Sequence, residues 1–143
     1  AGVVEKSDER VRMDECWCVE KNRPYPLLKK SVIEVMNIYA QEHERFSCIH
    51  HTDFRLNKYG VSGFMSSHVD NIHHSHGQSY GYPQCSILLF LNDDYEGGQF
   101  VVANKKYETK KGSAIIFPSN FMFPHEVKEV TKGERWSIVS WLM

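Results

Sequence analysis

Gly63-Phe64-Met65-Ser66-Ser67-His68-Val69-Asp70 is the stretch on which the reading of this chain turns. A Gly-rich approach, Tyr59-Gly60-Val61-Ser62-Gly63, leads into a short run that closes on a His-x-Asp pair. Turn signals followed by such a run predict a strand. In extended backbone the side chains of residues i and i+2 point to the same face. Phe64, Ser66, His68 and Asp70 then share a face in a regular strand, with Val69 turned away, and a β-bulge would invert that parity.

From Phe46 onward the chain reads as short β-like runs between turn signals: about 46 to 58, 63 to 70, 85 to 91, 98 to 103, 106 to 109, 113 to 117, 124 to 128 and 135 to 142. Upstream, strands are expected at Glu9–Met13 and around Cys16–Val19. Pro24 and Pro26 then introduce a helix, with Leu28, Val32, Val35, Met36 and Tyr39 on its buried face and His43-Glu44 at its end. Eight or so short strands with one supporting helix predict a mainly β fold with a jelly-roll, double-stranded β-helix core. The 143 residues, with no repeat, low-complexity tract or linker, are read as a single domain 1–143, in which 1–45 support a core at 46–143.

Composition narrows the partners. A net charge of −1 gives no concentrated basic surface, so no nucleic acid is expected. The longest wholly apolar run, Ile87–Leu91, is too short to span a bilayer, and the amino end, which begins at Ala1 without Met, shows no signal-peptide pattern. Cys16, Cys18, Cys48 and Cys85 match no zinc spacing and read as reduced thiols of a cytoplasmic protein. Oligomeric state is not legible.

His-x-Asp is a weak motif by itself: with 8 His it should arise by chance roughly a third of a time in a chain of this composition. A second copy, His51-Thr52-Asp53, is present and reads as a half-exposed strand or hairpin pair. The first copy differs in its downstream residues. Adding His125 to His68 and Asp70 gives two histidines and one carboxylate, a facial set that leaves coordination positions open and suits non-haem Fe(II). A 2-oxo acid can chelate in those positions beside O2, and its far carboxylate then needs a fixed cation such as Arg135. By parity Arg135, Ser137, Val139 and Trp141 share a face of the last strand. Ser137 can thus donate to the same carboxylate, and Trp141 falls near the site. Without that context, His68 and Asp70 would read as a hydrogen-bonded strand pair, Arg135 as a surface ion-pair residue, and Tyr59 as a core aromatic.

The ordered blocks are Tyr59-Gly60, His68-Val69-Asp70, Ser86–Asn92, Glu96-Gly97-Gly98-Gln99-Phe100, Lys111–Pro118, Pro124-His125 and Gly133-Glu134-Arg135-Trp136-Ser137. In that order they resemble the 2-oxoglutarate/Fe(II) dioxygenase superfamily, most of all its prolyl 4-hydroxylase branch. The resemblance runs from Phe54 to Met143. It implies His68, Asp70 and His125 as iron ligands, Arg135 as the clamp for the C5 carboxylate of 2-oxoglutarate, and Ser137 and Tyr59 as co-substrate contacts. It also implies O2 as oxidant, ascorbate as a candidate reductant, and a peptidyl proline as substrate, with succinate and CO2 released. Gly97 and Gly98 are expected to supply a turn with positive backbone angles.

Asn71–Gln84 holds His73, His74, His76, Tyr80 and Tyr82 between glycines and reads as a lid or substrate-reading loop. Tyr80 and Tyr82 with Trp141 could line a slot for an apolar ring. A second metal site on the three histidines lacks a carboxylate or Cys partner. Two alternatives stay open: a hydroxylase of a free amino acid or other small molecule, and a cupin-like metal-binding protein without oxygenase activity. His74-Ser75-His76 matches the His-x-His half of a cupin pattern but lacks its Glu.

Overall fold

The computed structural model describes residues 2–71 and 82–143. His73, His74, His76 and Tyr80 of the expected lid lie outside the described residues. The elements are β1 (Val4–Ser7), β2 (Val11–Cys18), α1 (Tyr25–Glu42), β3 (Phe54–Tyr59), β4 (Phe64–His68), β5 (Cys85–Phe90), β6 (Glu96–Gly97), β7 (Phe100–Val102), β8 (Lys105–Tyr107), β9 (Ala114–Pro118), β10 (His125–Val127), β11 (Val130–Lys132) and β12 (Arg135–Leu142). One antiparallel sheet runs β8-β7-β10-β4-β2-β3-β12-β5-β9, β1 pairs with β2, and β6 pairs with β11.

The sheet curls because β3 and β4 lie one after the other along β2: Asp14–Cys18 pair with β3, and Val11 and Arg12 with β4. The turn between them is pinned by Ser62 N–H donating to Val130 O and Val130 N–H to Gly63 O. A Cβ on Gly63 would stand 2.7 Å from Gly60 O, so only glycine fits the bend. The halves on either side of it face one another across a core that includes Tyr59, Leu88, Phe90, Phe100, Val127 and Val139. A jelly roll buries one face of each half in this way.

On β12 the expected parity holds. Val139 pairs with Leu88 on one side and Arg55 on the other, and Ser137 with Phe90 and Asn57, which puts the same alternation on three strands. The opposite face of that half carries Phe54, Ile87, Ile138 and Leu142, which pack under α1 through Val32, Leu28, Val35, Met36 and Tyr39. These helical positions recur every three or four residues, the spacing of one buried stripe. Pro24 and Pro26 open the helix where missing N–H groups cost nothing, and His43 N–H closes it on Tyr39 O at 3.0 Å.

Three expectations need correction. Glu9–Met13 and Cys16–Val19 are not two strands: Val11–Cys18 is one, and Val4–Ser7 forms a hairpin with it. The Asp8 carboxylate accepts from the N–H groups of Arg10 and Val11 at 2.7 and 3.1 Å and makes the turn. Residues 46–53 are not strand; an isolated bridge from His51 to Leu142 is their β contact. Finally, β4 is bulged. His125 pairs with His68 but Val127 pairs with Met65, so three steps on β4 match two on β10. Met65, not Phe64 or Ser66, therefore joins His68 and Asp70 in lining the central chamber.

Candidate metal centre and carboxylate clamp

His68 ends β4 and His125 begins β10, and their cross-strand pairing brings the rings to 4.3 Å between centroids. Asp70 sits two residues past His68, where its carboxylate reaches both. Oδ1 is 3.2 Å from His68 Nε2, and Oδ2 is 3.3 Å from His125 Nε2. Among the described residues this trio is the group whose potential metal-ligand atoms converge, all within 4.8 Å of one another. Each histidine Nδ1 lies against a carbonyl two residues back, Ser66 O at 2.9 Å and Phe123 O at 3.1 Å. A proton held on Nδ1 by those carbonyls leaves Nε2 as the ligand atom, and the ring cannot turn.

Asp70 is oriented from behind. Ser86 Oγ donates to its Oδ2 at 2.6 Å, Trp141 Nε1–H donates to the same oxygen at 3.0 Å, and Ser119 Oγ lies 2.8 Å from Ser86 Oγ. Ser86 and Ser119 are fully buried. Burial alone would raise the Asp70 pKa, but hydrogen bonds from His125, His68 and Ser86 outweigh it and hold the carboxyl well below its usual range. For His68 burial works against the proton, and the Asp70 carboxylate wins, raising the imidazole above its usual value. The trio by itself is a carboxylate between two imidazoles, held in place by groups that a cation need not displace.

Arg135 lies deeper on the same face. It is 1% exposed, with its guanidinium carbon 5.3, 5.6 and 5.8 Å from the ring centroids of Tyr59, Phe90 and Phe100. Nη1 donates to Ser137 Oγ at 3.3 Å, which leaves the Ser137 proton available to a further acceptor. Nε and Nη2 are buried without a partner among the described residues. A buried cation with two unmet donors is costly unless a ligand supplies acceptors, and a carboxylate matches that fork. Gly98, at φ +62°, makes room for it: a Cβ there would stand 3.2 Å from Arg135 Cδ. Gly97 also has positive φ, +74°, as expected of the Gly-Gly turn.

A narrow chamber of about 30 Å³ joins Arg135, Ser137 and Tyr59 to the His68, Asp70 and His125 trio. Outside it opens a cleft of about 510 Å³, bounded by Trp17, Trp141, Glu15, Arg55, Met65 and Pro83. Trp17 and Trp141 form one wall, with ring centroids 6.3 Å apart. Tyr82 is exposed and is not among the cleft's lining residues. His51 is elsewhere: its Nδ1 is 2.9 Å from Thr52 O, its ring stacks on Phe54, and Asp53 is exposed.

Sequence reading missed Ser86, Ser119, Arg55 and Asn57. Ser86 was detectable as the one polar inward position of Ser-Ile-Leu-Leu-Phe, and Arg55 and Asn57 by counting back in twos from Tyr59. Ser119 lies beyond the end of β9, where periodicity carries no signal.

Residues 54–143, more than half of the chain, match the profile of the 2OG-Fe(II) oxygenase superfamily. Prolyl 3-hydroxylase 2 of Homo sapiens is 39% identical over 70 residues, 44% of this chain and 10% of that protein. A PKHD-type hydroxylase of Prochlorococcus marinus is 33% identical over 100 residues, 66% of this chain and 42% of the relative. The chain thus spans less than half the length of either relative. A prolyl hydroxylase from Trichoplax adhaerens, solved with a hypoxia inducible factor oxygen degradation domain peptide fragment, superposes with a TM-score of 0.75 at 21% identity, over 96% of this chain and 66% of that one. At that identity the likeness is one of fold.

Proposed function

This chain belongs to the 2OG-Fe(II) oxygenase superfamily, and we propose that it hydroxylates a C–H bond of a peptidyl proline, with 2-oxoglutarate and O2 consumed and succinate and CO2 released. The observation that carries this reading is the pairing of a convergent His-Asp-His trio with a buried, partner-seeking guanidinium at the far end of one chamber. His68, Asp70 and His125 are the ligands of Fe(II), and bound iron supplies the oxidising chemistry that amino-acid side chains lack. Arg135 grips the far carboxylate of 2-oxoglutarate through Nε and Nη2, Ser137 donates to the same group, and Tyr59 forms the floor beneath the cation. Ascorbate is the candidate reductant.

The substrate reading rests on two supports. Two of the three named proteins are prolyl hydroxylases, and the cleft beside the trio has an aromatic wall, Trp17 and Trp141, suited to an apolar ring. Residues 1–143 act in this reading as one domain, with 1–45 supporting the 46–143 core. No helix of the described residues is long and apolar enough to cross a membrane. The cytoplasm is the proposed compartment, on the strength of four cysteines held as thiols.

The test is a panel of proline-rich peptides incubated with Fe(II), 2-oxoglutarate and O2. Peptide products one oxygen heavier and equimolar succinate are expected, both lost in His125→Ala. Oxygenation of a free amino acid or nucleobase, with every peptide untouched, would overturn the peptidyl-proline reading and leave the oxygenase class standing.

A further inference from the structure

Arg55 is a second arginine of the site, and none of the roles above uses it. It lies on β3 on the same face as Asn57 and Tyr59, and it pairs across to Val139 as Tyr59 pairs to Arg135. Four residues of strand therefore separate the two arginines, about 13 Å along the backbone, and their long side chains shorten the gap between the charges. Arg55 lines both the outer cleft and the inner chamber, so its charge stands where the two meet, on the side of His68 and Asp70.

The side chain is built to stay there. Its Nε–H donates to Asn57 Oδ1 at 3.0 Å, Nη1 lies 3.3 Å from Glu15 Oε2, and the guanidinium carbon stands 5.0 Å over the Trp141 ring. Glu15 is itself nearly buried and is shared with Lys6 at 2.9 Å, so it neutralises Arg55 only in part. A restrained and only partly neutralised cation that lines the same cleft and chamber as the open metal trio is an anion-binding group.

We propose that Arg55 is a second carboxylate-binding residue of the site, engaging the metal-side carboxylate of the 2-oxo acid while Arg135 takes the far one. Recognition of a dicarboxylate then uses one arginine per carboxylate. The inference rests on the 2-oxoglutarate reading of the chamber.

The test is calorimetric binding of two 2-oxo acids to the Fe(II)-loaded full chain without oxygen: 2-oxoglutarate, and 2-oxobutyrate, which lacks the far carboxylate. Arg55→Met should weaken both by the same factor, roughly tenfold to a hundredfold. Arg135→Met should weaken 2-oxoglutarate alone and abolish the preference for it. Arg55→Lys should recover part of the loss, since the charge remains and the fork does not. Unchanged binding of both acids in Arg55→Met would overturn the proposal. So would loss confined to 2-oxoglutarate, or a loss of Fe(II) affinity that accounts for the effect. An Arg135→Met variant that still prefers 2-oxoglutarate would instead sink the reading on which the inference rests.

Discussion

Arg135→Met should remove the protein's thermal response to 2-oxoglutarate while leaving the ligand-free fold at least as stable. The guanidinium is 1% exposed, and Nε and Nη2 lack acceptors among the described residues. Hydrogen bonds to charged groups contribute roughly 1.5–3 kcal/mol each, so losing the pair weakens a carboxylate ligand about 100-fold or more. Ligand stabilisation follows RT ln(1 + [L]/Kd): about 2.7 kcal/mol at 100 times the wild-type Kd, and about 0.4 kcal/mol once Kd has risen 100-fold. With an unfolding entropy of about 2.1 cal/mol/K per residue, a chain of 143 residues converts these into shifts of about 9 °C and about 1 °C. Scanning fluorimetry of the metal-loaded protein without oxygen reads both. Methionine keeps apolar volume against Tyr59, Phe90 and Phe100 and removes a buried charge with unmet donors, so the ligand-free melting temperature should equal or exceed that of the wild type. A variant that keeps the full ligand shift refutes the clamp. A large drop in its ligand-free melting temperature refutes the desolvation argument, because the aromatic contacts would then outweigh the cost of burying the cation.

His68→Ala and His125→Ala should each abolish stoichiometric Fe(II) binding, whereas His51→Ala should not, because two donors cannot fix an open site; equal iron content in the His51 and His68 variants would break the assignment. Ser86→Ala removes the 2.6 Å donor to Asp70, and metal affinity should fall roughly 10- to 100-fold, measured with Mn(II) as a paramagnetic probe; an unchanged affinity would mean that Trp141 alone orients the carboxylate. The metal-free protein should be most stable in mildly acidic solution. The raised His68 contributes stability that is complete below its usual value of 6.5 and is lost as pH rises through its folded value. The depressed Asp70 contributes stability that is complete above 3.8 and is lost as pH falls through its folded value. Melting temperature should therefore fall as pH rises from below the usual histidine value of 6.5 through the raised folded value of His68, and Asp70→Asn should flatten that fall; a wild-type melting temperature that climbs as pH rises through that region contradicts the pairing.

Much of this protein can be read before it is folded, wherever local chemistry determines geometry. The α1 stripe follows from three- and four-residue spacing, and the inward set Arg135, Ser137, Val139 and Trp141 from the period of two. The positive angles at Gly97 and Gly98 follow from glycine's lack of a Cβ. The identities of His68, Asp70, His125 and Arg135 as a set are carried by their order along the chain. Tertiary structure alone decided what depends on where one strand meets another. The β4 bulge turns Met65 inward because β10 offers two steps against three, a property of pairing that neither strand encodes alone. Asp8 closes a hairpin where the sequence reads as the start of a strand at Glu9, and residues 46–53 form no strand although their pattern is strand-like. Ser119, Ser86 and Trp141 meet Asp70 from three distant parts of the chain, and Glu15 restrains Arg55 across β2 and β3. Period and propensity act over a few residues, whereas the orientation of a carboxylate and the charge left on a guanidinium are set by neighbours that only the closed sheet brings within hydrogen-bonding distance.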